Sequence, residues 1–481
     1  MNTSQTPLTV AGRLKLFFTL FDSRFEDLQP HNWRSTIYRD FSAGLVVALT
    51  AIPMAMGFAM AMGLRPEQGI IAGALACIVG RTFGGSKYQV YGPTAAFIPV
   101  IASLIFKYGP QNGGTAEGAH SLLIFVSIIA GIILMIMGLT GMGKFAKLVP
   151  NSIVVGFTVG IALAIALTNM EDILGIESFK DTLGQDEEIK GGLLHNLQLA
   201  LGSLGSINIW SVLIGVGTFL VTRNLLKISI FIPAPLLAIA AATGITALLL
   251  PGKGIILVRD IYGTIPNNFF VFTTPAIPPV TLQLIMDVVY YVIAIVFVSG
   301  VESLLCSSMA DRLANNQKTP FNPDKEFWGQ GLVQIITPLV NGFPCTGALA
   351  RTATSIKAGA VTPLAGYFKG VLKLVMAFYL APYLELVPMA CIGGILLWVA
   401  SNMIKRKEIR EVTATGRFEM WMMVYTAVMV PLTDFLTGVL SALILYYLIR
   451  KIFPGVKPKA VVVEEVAPKI VSEQVKEEVL V

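Results

Sequence analysis

"NGFPCTGALARTATSIKAG", residues Asn341–Gly359, is the stretch of sequence that decides the fold. It carries Arg351, Lys357 and five hydroxyl or thiol side chains, although the segments on either side are apolar enough to cross a bilayer. An arginine at membrane depth costs at least about 2.5–3.5 kcal/mol on insertion scales, so it should face protein or water rather than lipid. The stretch is therefore predicted to line a protein-enclosed site within a membrane protein.

The composition of the whole chain predicts an α-helical membrane protein with several spans. Of its 481 residues, 54% are hydrophobic and only 13% are charged, whereas soluble proteins carry about 25% charged residues. A soluble chain this apolar could not cover its surface with polar groups. The formal net charge of +6 is modest for a membrane protein with basic inner loops, and it gives no reason to expect a nucleic-acid partner.

No cofactor or metal site is expected from the sequence. The cysteines lie in apolar stretches without a CxxC or other metal-ligand spacing, and each histidine lies near a loop or a terminus. The cysteines are Cys77, Cys306, Cys345 and Cys391. The sequence also lacks a recognisable set of nucleophile and base, so we do not expect an enzyme.

The hydrophobic pattern predicts about 14 membrane-spanning segments. Runs of spanning length lie at residues 41–62, 68–83, 120–141, 149–168, 208–222, 228–250, 284–306, 363–382, 388–404, 418–433 and 435–450. Shorter or interrupted runs lie at 92–107, 326–342 and 344–358. With an even number of spans, the basic loops and both termini fall on the cytoplasmic side of a plasma membrane, and the acidic loop 171–190 falls outside.

The spans divide the chain into two halves. We expect a cytoplasmic segment at 1–40, a first repeat at 41–250, an external loop at 251–283, a second repeat at 284–452 and a short cytoplasmic tail at 453–481. Two motifs of the first half recur in the same order in the second. LVPNSIVVG (148–156) resembles LVPMACIGG (386–394), and YGPTAAF (91–97) resembles FPCTGAL (343–349). With about seven spans each, the halves are predicted to be an inverted repeat, the arrangement of many secondary transporters.

The segments 92–107 and 344–358 are the shortest apolar runs, and each begins at residues that break helix. Interrupted segments at matching places in both halves point to a transporter's binding site. We predict two half-helices starting near the bilayer midplane, at Thr94 and at Thr346–Ala348, whose free N–H groups and positive dipole ends bind an anion. The alternative is a pair of proline-kinked spans with small residues for helix packing.

Two charges accompany these segments. Arg351 lies one to two turns inside the second predicted half-helix and makes the site electropositive. The alternative, an arginine that reaches the membrane interface, is disfavoured because Lys357 already occupies the inner end of the same helix. Glu302, in VFVSGVESLLCSSMADR, needs a partner, for which Arg351, Na⁺ and a proton are the candidates. A structural pair with Arg351 and a role in H⁺ coupling both stay open.

Other features allow two interpretations each. Pro53 lies within a span rich in methionine and small residues, as in a kinked helix lining a cavity or in a tightly packed one. Asp434, between the last two spans, is predicted to cap a helix start. Residues 12–21 predict an amphipathic helix that lies on the membrane surface or packs against the protein.

Together these motifs resemble the SulP family of anion transporters (solute carrier family 26 in animals) from about Arg34 to Arg450. The resemblance rests on DFSAGLVVALTAIPMAMGFAMAMGL, YGPTAAF, VESLLCSSMAD and GALARTATSIKAG, which are similar to the first, third, eighth and tenth spans of that family. It implies a membrane fold of seven plus seven inverted spans, elevator-like transport and, commonly, a homodimer. The substrate anion would lie between the third and tenth half-helices.

The resemblance also implies site residues. The anion would contact Thr94, Ala95, Ala96, Phe97, Thr346, Gly347, Ala348, Leu349 and Arg351, with Pro53 nearby. Glu302 and Cys306 would couple transport to H⁺ or Na⁺. Sulfate is the favoured substrate, and bicarbonate and C4-dicarboxylates are the alternatives. A passive anion channel and a nucleobase transporter on the same fold are further alternatives.

The sequence departs from the family in two respects. Family members usually carry a cytoplasmic STAS domain after the last span, and the residues after Pro454 are too few for one. Na⁺-coupled members also have hydroxyl residues beside the acidic group of the eighth span, where this chain has Cys306, and Leu349 with Ala350 before Arg351. The second departure weakens the Na⁺ interpretation and leaves H⁺ at least as well supported.

Overall fold

The computed structural model describes residues 10–143, 149–176, 207–229, 231–266, 270–275, 277, 279–433 and 435–452. Within these residues the chain is mostly helical. The helices of the first half are α1 (Val10–Phe17), α2 (Trp33–Ala61), α3 (Pro66–Phe83), α4 (Ile98–Tyr108), α5 (Ala116–Thr140), α6 (Asn151–Thr168), α7 (Met170–Leu174), α8 (Ile209–Ile228), α9 (Ala234–Leu249) and α10 (Val258–Tyr262).

The remaining elements are helices with two very short strands. The helices of the second half are α11 (Leu282–Leu313), α12 (Pro323–Leu339), α13 (Leu349–Lys357), α14 (Leu364–Leu384), α15 (Met389–Met403), α16 (Arg406–Thr415), α17 (Arg417–Leu432) and α18 (Phe435–Ile452). The strands are β1 (Tyr91–Gly92) and β2 (Thr346–Gly347), and short 3₁₀ turns lie at Ser23–Phe25, Ala95–Phe97 and Pro110–Asn112.

Six helices of the described part are long and apolar enough to cross a membrane. They are Trp33–Ala61, Ala116–Thr140, Asn151–Leu174, Ile209–Ile228, Leu282–Leu313 and Leu364–Leu384. Each apolar run of the sequence contains a helix at the place predicted. A membrane protein with several helical spans is therefore confirmed, and the number of 14 spans stays a prediction. Asp434, the predicted helix cap, lies outside the described residues.

The helices pack as two bundles. A core bundle contains α2, α3, α5, α11, α12 and α14, in which α5 packs on α12, and α14 packs on both α2 and α3. A flanking bundle contains α6, α8, α9, α15, α17 and α18, in which α6 packs on α17 and α8 packs on α15. Helix α2 contacts α9 and α15 and so joins the bundles.

Small residues allow the core helices to approach closely, as is usual between membrane helices. Gly131 of α5 and Gly331 of α12 face each other, and a Cβ atom placed on Gly131 would lie 2.6 Å from the carbonyl oxygen of Gly331. A side chain at either position would push the two helices apart. This contact holds α12 directly against α5.

The N-terminal segment packs on the core bundle. Helix α1 contacts α5 and α12, and the ring of Phe17 lies 5.5 Å from that of Trp328. Farther along, Asp22 accepts hydrogen bonds from Arg24 and Lys325. Burial alone would raise the pKa of Asp22, but these hydrogen bonds and charges outweigh it and hold the pKa below its ordinary value. Of the two interpretations for this segment, the structure has the helix packed against the protein.

Candidate functional site

The two interrupted segments meet as an antiparallel pair of strands in the core bundle. Tyr91 pairs with Gly347, and Gly92 pairs with Thr346. The pairing continues on one side, where Ala348 donates its N–H to the carbonyl of Val90 at 2.9 Å. Extended backbone at membrane depth must find hydrogen-bond partners within the protein. The two segments supply these partners for each other, although they lie far apart in sequence.

A short helix follows each strand. After β1, Thr94 is extended and begins a 3₁₀ turn that runs into α4. After β2, Ala348 is extended and α13 begins at Leu349. The predicted start, around Thr346–Ala348, is narrowed to its last residue: Ala348 is the N-cap, and the strand pairing holds Thr346 and Gly347 in extended backbone. Both helices begin next to the strand pair, which places both N-termini in one region.

We call the region around β1 the first junction and that around β2 the second junction. At the second junction, both Gln330 and Gln334 of α12 donate hydrogen bonds to the carbonyl of Cys345, the latter at 2.7 Å. The side-chain oxygen of Gln334 accepts the N–H of Cys345 at 3.2 Å. Thr346 donates its hydroxyl to the carbonyl of Ser299 at 3.2 Å. Neutral groups therefore satisfy the polar backbone at this junction.

At the first junction, lysines of α14 donate the hydrogen bonds that satisfy the backbone carbonyls. The ammonium of Lys369 donates to the carbonyls of Tyr91 and Gly73, each at 2.8 Å. One turn along α14, Lys373 donates to the carbonyl of Gly69 at 3.3 Å. The sequence analysis did not single out these lysines. The available signal was a pair of basic residues four apart inside an apolar run at 363–382.

Arg351 crosses from the second junction to the first. It lies on α13, is only 4% exposed, and donates from Nη2 to the carbonyl of Pro93. Its other terminal nitrogen, Nη1, is buried and has no hydrogen-bond partner among the described residues. A Cβ atom on Gly92, whose φ is +155°, would lie 3.0 Å from Nη1. Glycine at this position leaves room for the guanidinium.

Glu302 of α11 contacts the start of the first helix. Its Oε2 accepts the hydroxyl of Thr94 at 2.9 Å. No hydrogen bond or ion pair joins Glu302 to Arg351 within the described part of the chain, but the two charges lie close enough to attract each other. The hydrogen bond ties a carboxylate to the residue at which the helix of the first junction begins.

The other predicted site residues are placed as follows. Cys306 lies one turn after Glu302, and its Sγ is 3.3 Å from the hydroxyl of Thr352 on α13, which accepts the N–H of Val90. Cys306 therefore joins α11 to α13, which is a structural contact. Pro53 is buried inside α2. Ala95, Ala96, Phe97 and Ala348 are buried, and Leu349 is half-buried.

A second carboxylate, Glu326 of α12, was also missed. It is fully buried and accepts hydrogen bonds from the backbone of Gly85 and from the side chains of Gln89, Tyr91 and Ser303. These bonds anchor the side chain of Tyr91 and hence β1. The sequence offers little to distinguish this glutamate, because it lies at the polar start of a helix where acidic residues are common.

Comparisons with known proteins place the chain in one group of membrane proteins. The model of the Sulfate permease family matches residues 37–426. The "Putative sulfate transporter YvdB" of Bacillus subtilis is 33% identical over 427 residues, which are 89% of this chain and 75% of the relative. The "Bicarbonate transporter BicA" of Picosynechococcus is 27% identical over 399 residues, 82% of this chain and 67% of the relative.

Solved structures show the same fold. The transmembrane domain of the cyanobacterial bicarbonate transporter BicA superposes with a TM-score of 0.67 at 21% identity, covering 87% of this chain and 97% of that chain. The murine Solute Carrier 26 family member A9 (Slc26a9) anion transporter in the inward-facing state superposes with a TM-score of 0.78 at 17% identity, covering 94% and 74%. At these identities the likeness concerns the fold. The residues matched by the family model, 37–426, include both junctions.

Proposed function

The chain belongs to the sulfate permease family and is an anion transporter, and we propose that it binds its substrate between the helix starts at Thr94 and Leu349. The observation that carries this proposal is the Nη1 atom of Arg351, which is buried without a protein partner beside both helix starts. A buried guanidinium N–H left without an acceptor is costly, and an anion in reach of it removes that cost.

The backbone supports the same sign of charge. The first N–H groups of a helix have no partner within the helix, and the helix dipole places partial positive charge there. Two such helix starts lie beside the strand pair, and the guanidinium of Arg351 adds a full charge. An anion held there would replace its hydration shell with N–H donors, as anions do at helix N-termini in general.

Sulfate is the substrate that we favour, with bicarbonate and C4-dicarboxylates as alternatives. Among the relatives, the one at 33% identity bears the name of a sulfate transporter and the one at 27% that of a bicarbonate transporter. The residues beside the helix starts include Ala95, Ala96 and Ala348, so the space suits a compact anion. A nucleobase would need polar groups that read the edge of a base, and these small residues do not supply them.

An inverted repeat supports alternating access. The contacts of α5 with α12 and with α11 have counterparts in the contacts of α14 with α3 and with α2. In the flanking bundle, α8 with α15 has its counterpart in α17 with α6. Such matched contacts are expected if the chain consists of two halves with opposite orientation. In an elevator mechanism, the core bundle would carry the anion past the flanking bundle.

Glu302 is the proposed coupling group. Its bond to Thr94 places it next to the proposed anion site, where H⁺ or Na⁺ could enter together with the substrate. A carboxylate in a membrane span is costly when charged and unpaired, so protonation or cation binding stabilises it. H⁺ is at least as well supported as Na⁺, because Cys306 is hydrogen-bonded to Thr352 and Thr94 supplies the hydroxyl beside Glu302.

Topology and assembly are parts of the same proposal. The distribution of basic loop residues supports a topology with both termini in the cytoplasm and the acidic loop outside, in a plasma membrane. A homodimer is expected from the resemblance to the family.

Uptake into liposomes tests the proposed function. Purified protein is reconstituted and supplied with labelled sulfate, bicarbonate or succinate under imposed H⁺ or Na⁺ gradients. We expect saturable uptake of at least one of these anions, stimulated by one of the gradients. Uptake that ignores both gradients and exceeds carrier rates would favour a passive channel, and an absence of anion movement would disprove the proposal.

A further inference from the structure

Lys369 and Lys373 lie at the centre of α14, one turn apart and therefore on one face of the helix. They are 1% and 0% exposed. A lysine is almost never fully buried unless it is paired with an opposite charge. Among the described residues, the acceptors of these two lysines are backbone carbonyls and, for Lys369, the thiol of Cys77, and no carboxylate is bonded to either ammonium.

The ammonium of Lys373 has more N–H donors than acceptors among the described residues. An ammonium has three N–H donors, and Lys373 has one protein acceptor in the described part, the carbonyl of Gly69 at 3.3 Å. The lysines lie against α3 where it carries glycines. A Cβ atom on Gly73 would collide with the ammonium of Lys373, so the small residue makes room for the charge.

The lysines form a cluster with Arg351. The point at which Gly92 would carry a Cβ atom lies 3.0 Å from Nη1 of Arg351 and 3.5 Å from Nζ of Lys369. Both groups therefore flank β1, just before the helix start at Thr94. The acidic group facing this cluster is Glu302, through its bond to Thr94. Three positive groups thus face one negative group.

Hydrogen bonding alone does not require these charges. At the second junction, the buried carbonyl of Cys345 is satisfied by the amides of Gln330 and Gln334. Glutamine would serve equally well at the first junction if the need were only a donor. The lysines therefore supply something that amides do not, which is excess positive charge at membrane depth.

We propose that Lys369 and Lys373 determine specificity by their charge, so that the site prefers doubly charged over singly charged anions. This inference rests on the proposed function. The lysines act without touching the substrate, because their ammonium groups are bonded to the backbone behind β1. An anion with two negative charges compensates the excess of the cluster more fully than an anion with one.

Coulomb's law gives the expected size of the effect. Thr94 lies three residues after Tyr91, or about 10 Å along extended backbone. At about 10 Å and an effective dielectric constant of about 20, removing one positive charge weakens binding of a singly charged anion on the order of tenfold. Because the energy scales with the anion's charge, a doubly charged anion loses on the order of a hundredfold.

Sulfate and perchlorate test this scaling, since both are tetrahedral oxyanions and their charges differ. Their dissociation constants are measured by calorimetry on purified full-length protein. Lys373→Gln is the first variant, because Lys373 holds the backbone by one long bond, and Lys369→Gln, which keeps a donor, is the second. We expect the factor by which sulfate affinity falls to be about the square of the factor for perchlorate. Equal losses, or none, would overturn the inference.

Lys325→Gln is the matched control. Lys325 is 2% exposed but lies at the start of α12, bonded to Asp22 and Thr19, away from the cluster. We expect it to leave both constants unchanged. An equal loss of sulfate binding in this variant would also count against the inference. If Lys373→Gln does not fold, the wild-type protein still decides, since perchlorate binding more tightly than sulfate would overturn the preference.

The outcomes separate this inference from the proposed function. If the wild-type protein neither binds nor moves any anion, the proposed function fails and the inference fails with it. If the wild-type protein binds and moves sulfate while both lysine variants keep the wild-type ratio of sulfate to perchlorate affinity, the proposed function stands and the lysines are structural.

Discussion

The first and second junctions have the same backbone geometry and differ in the groups that satisfy it. At each junction, a two-residue strand ends just before a short helix. A buried carbonyl in or next to the strand accepts hydrogen bonds from side chains, from a charged ammonium at the first junction and from two amides at the second. Lys369 bonds the carbonyl of Tyr91 at the first junction. Gln330 and Gln334 bond that of Cys345 at the second. A cation therefore bonds a buried carbonyl at the first junction, whereas neutral amides do so at the second.

This difference separates the scaffold from the binding function. The amides of the second junction meet the requirement that buried polar backbone be bonded. Arg351 follows the second junction in sequence, yet its guanidinium reaches the carbonyl of Pro93 at the first. Arg351, Lys369 and Lys373 thus gather at the first junction. That junction is the proposed anion side, and the second holds it in position.

The largest effect is expected from Arg351→Ala, which removes the charge that joins the junctions. Loss of one partner of a buried charge pair costs roughly 2–5 kcal/mol, so sulfate uptake should fall at least about thirtyfold. Initial rates of labelled sulfate uptake in liposomes measure it. Lys357→Ala is the control, because Lys357 is exposed on the same helix. Wild-type uptake rates in Arg351→Ala would show that the first junction is not part of the anion site.

Glu302→Gln is expected to have the next largest effect. Glutamine keeps an oxygen that can accept the hydroxyl of Thr94 but removes the charge that a proton or Na⁺ would neutralise. Stimulation of sulfate uptake by an imposed gradient should disappear, which lowers uptake roughly tenfold under that gradient. Cys306→Ala, one turn away, should keep the stimulation. An unchanged gradient response in Glu302→Gln would rule out the coupling role.

Gln334→Leu tests the second junction as scaffold. The substitution removes the bonds to Cys345 and to Ser299, and buried groups left without partners cost about 1–3 kcal/mol each. We expect a lower unfolding temperature in detergent, with sulfate and perchlorate affinities reduced by the same factor. A change in the ratio of the two affinities would show that this junction also determines specificity, contrary to the comparison.

Gly92→Ala should have the smallest effect. The alanine would have to adopt a φ of +155°, and its Cβ atom would lie 3.0 Å from Nη1 of Arg351. Strained backbone of this kind costs about 1–3 kcal/mol, and the displaced guanidinium should raise the KM for sulfate several-fold. Gly217→Ala is the control, since nothing lies within 4 Å of a Cβ atom there. An unchanged KM in Gly92→Ala would mean that Arg351 tolerates the shift.

Much of the helical architecture could be predicted from the sequence. Each apolar run gave a helix, because runs of that length and composition are a strong signal. The breaks at Pro93 and Pro344 identified the two junctions, since proline disrupts helix. Arg351 stood out as a charge between spans. All three signals are local, so they can be recognised in the sequence without knowledge of the fold.

The remainder depends on contacts between distant parts of the chain. The pairing of Tyr91 with Gly347 has no sequence signal, because a strand of two residues has no periodicity. The pairing also determines why α13 begins only at Leu349, at the end of the predicted range. The burial of Lys369 and Glu326 depends on which face of a helix packs inward. The structure fixes these points through the packing of α14 on α3 and of α12 on α5.

The most direct measurement of the central claim is an anomalous diffraction experiment on crystals grown with selenate, a heavier analogue of sulfate. The account predicts a selenium peak between the helix starts at Thr94 and Leu349, with selenate oxygen within hydrogen-bond distance of Nη1 of Arg351. An ordered selenate elsewhere in the protein, with no peak at this position, would contradict it.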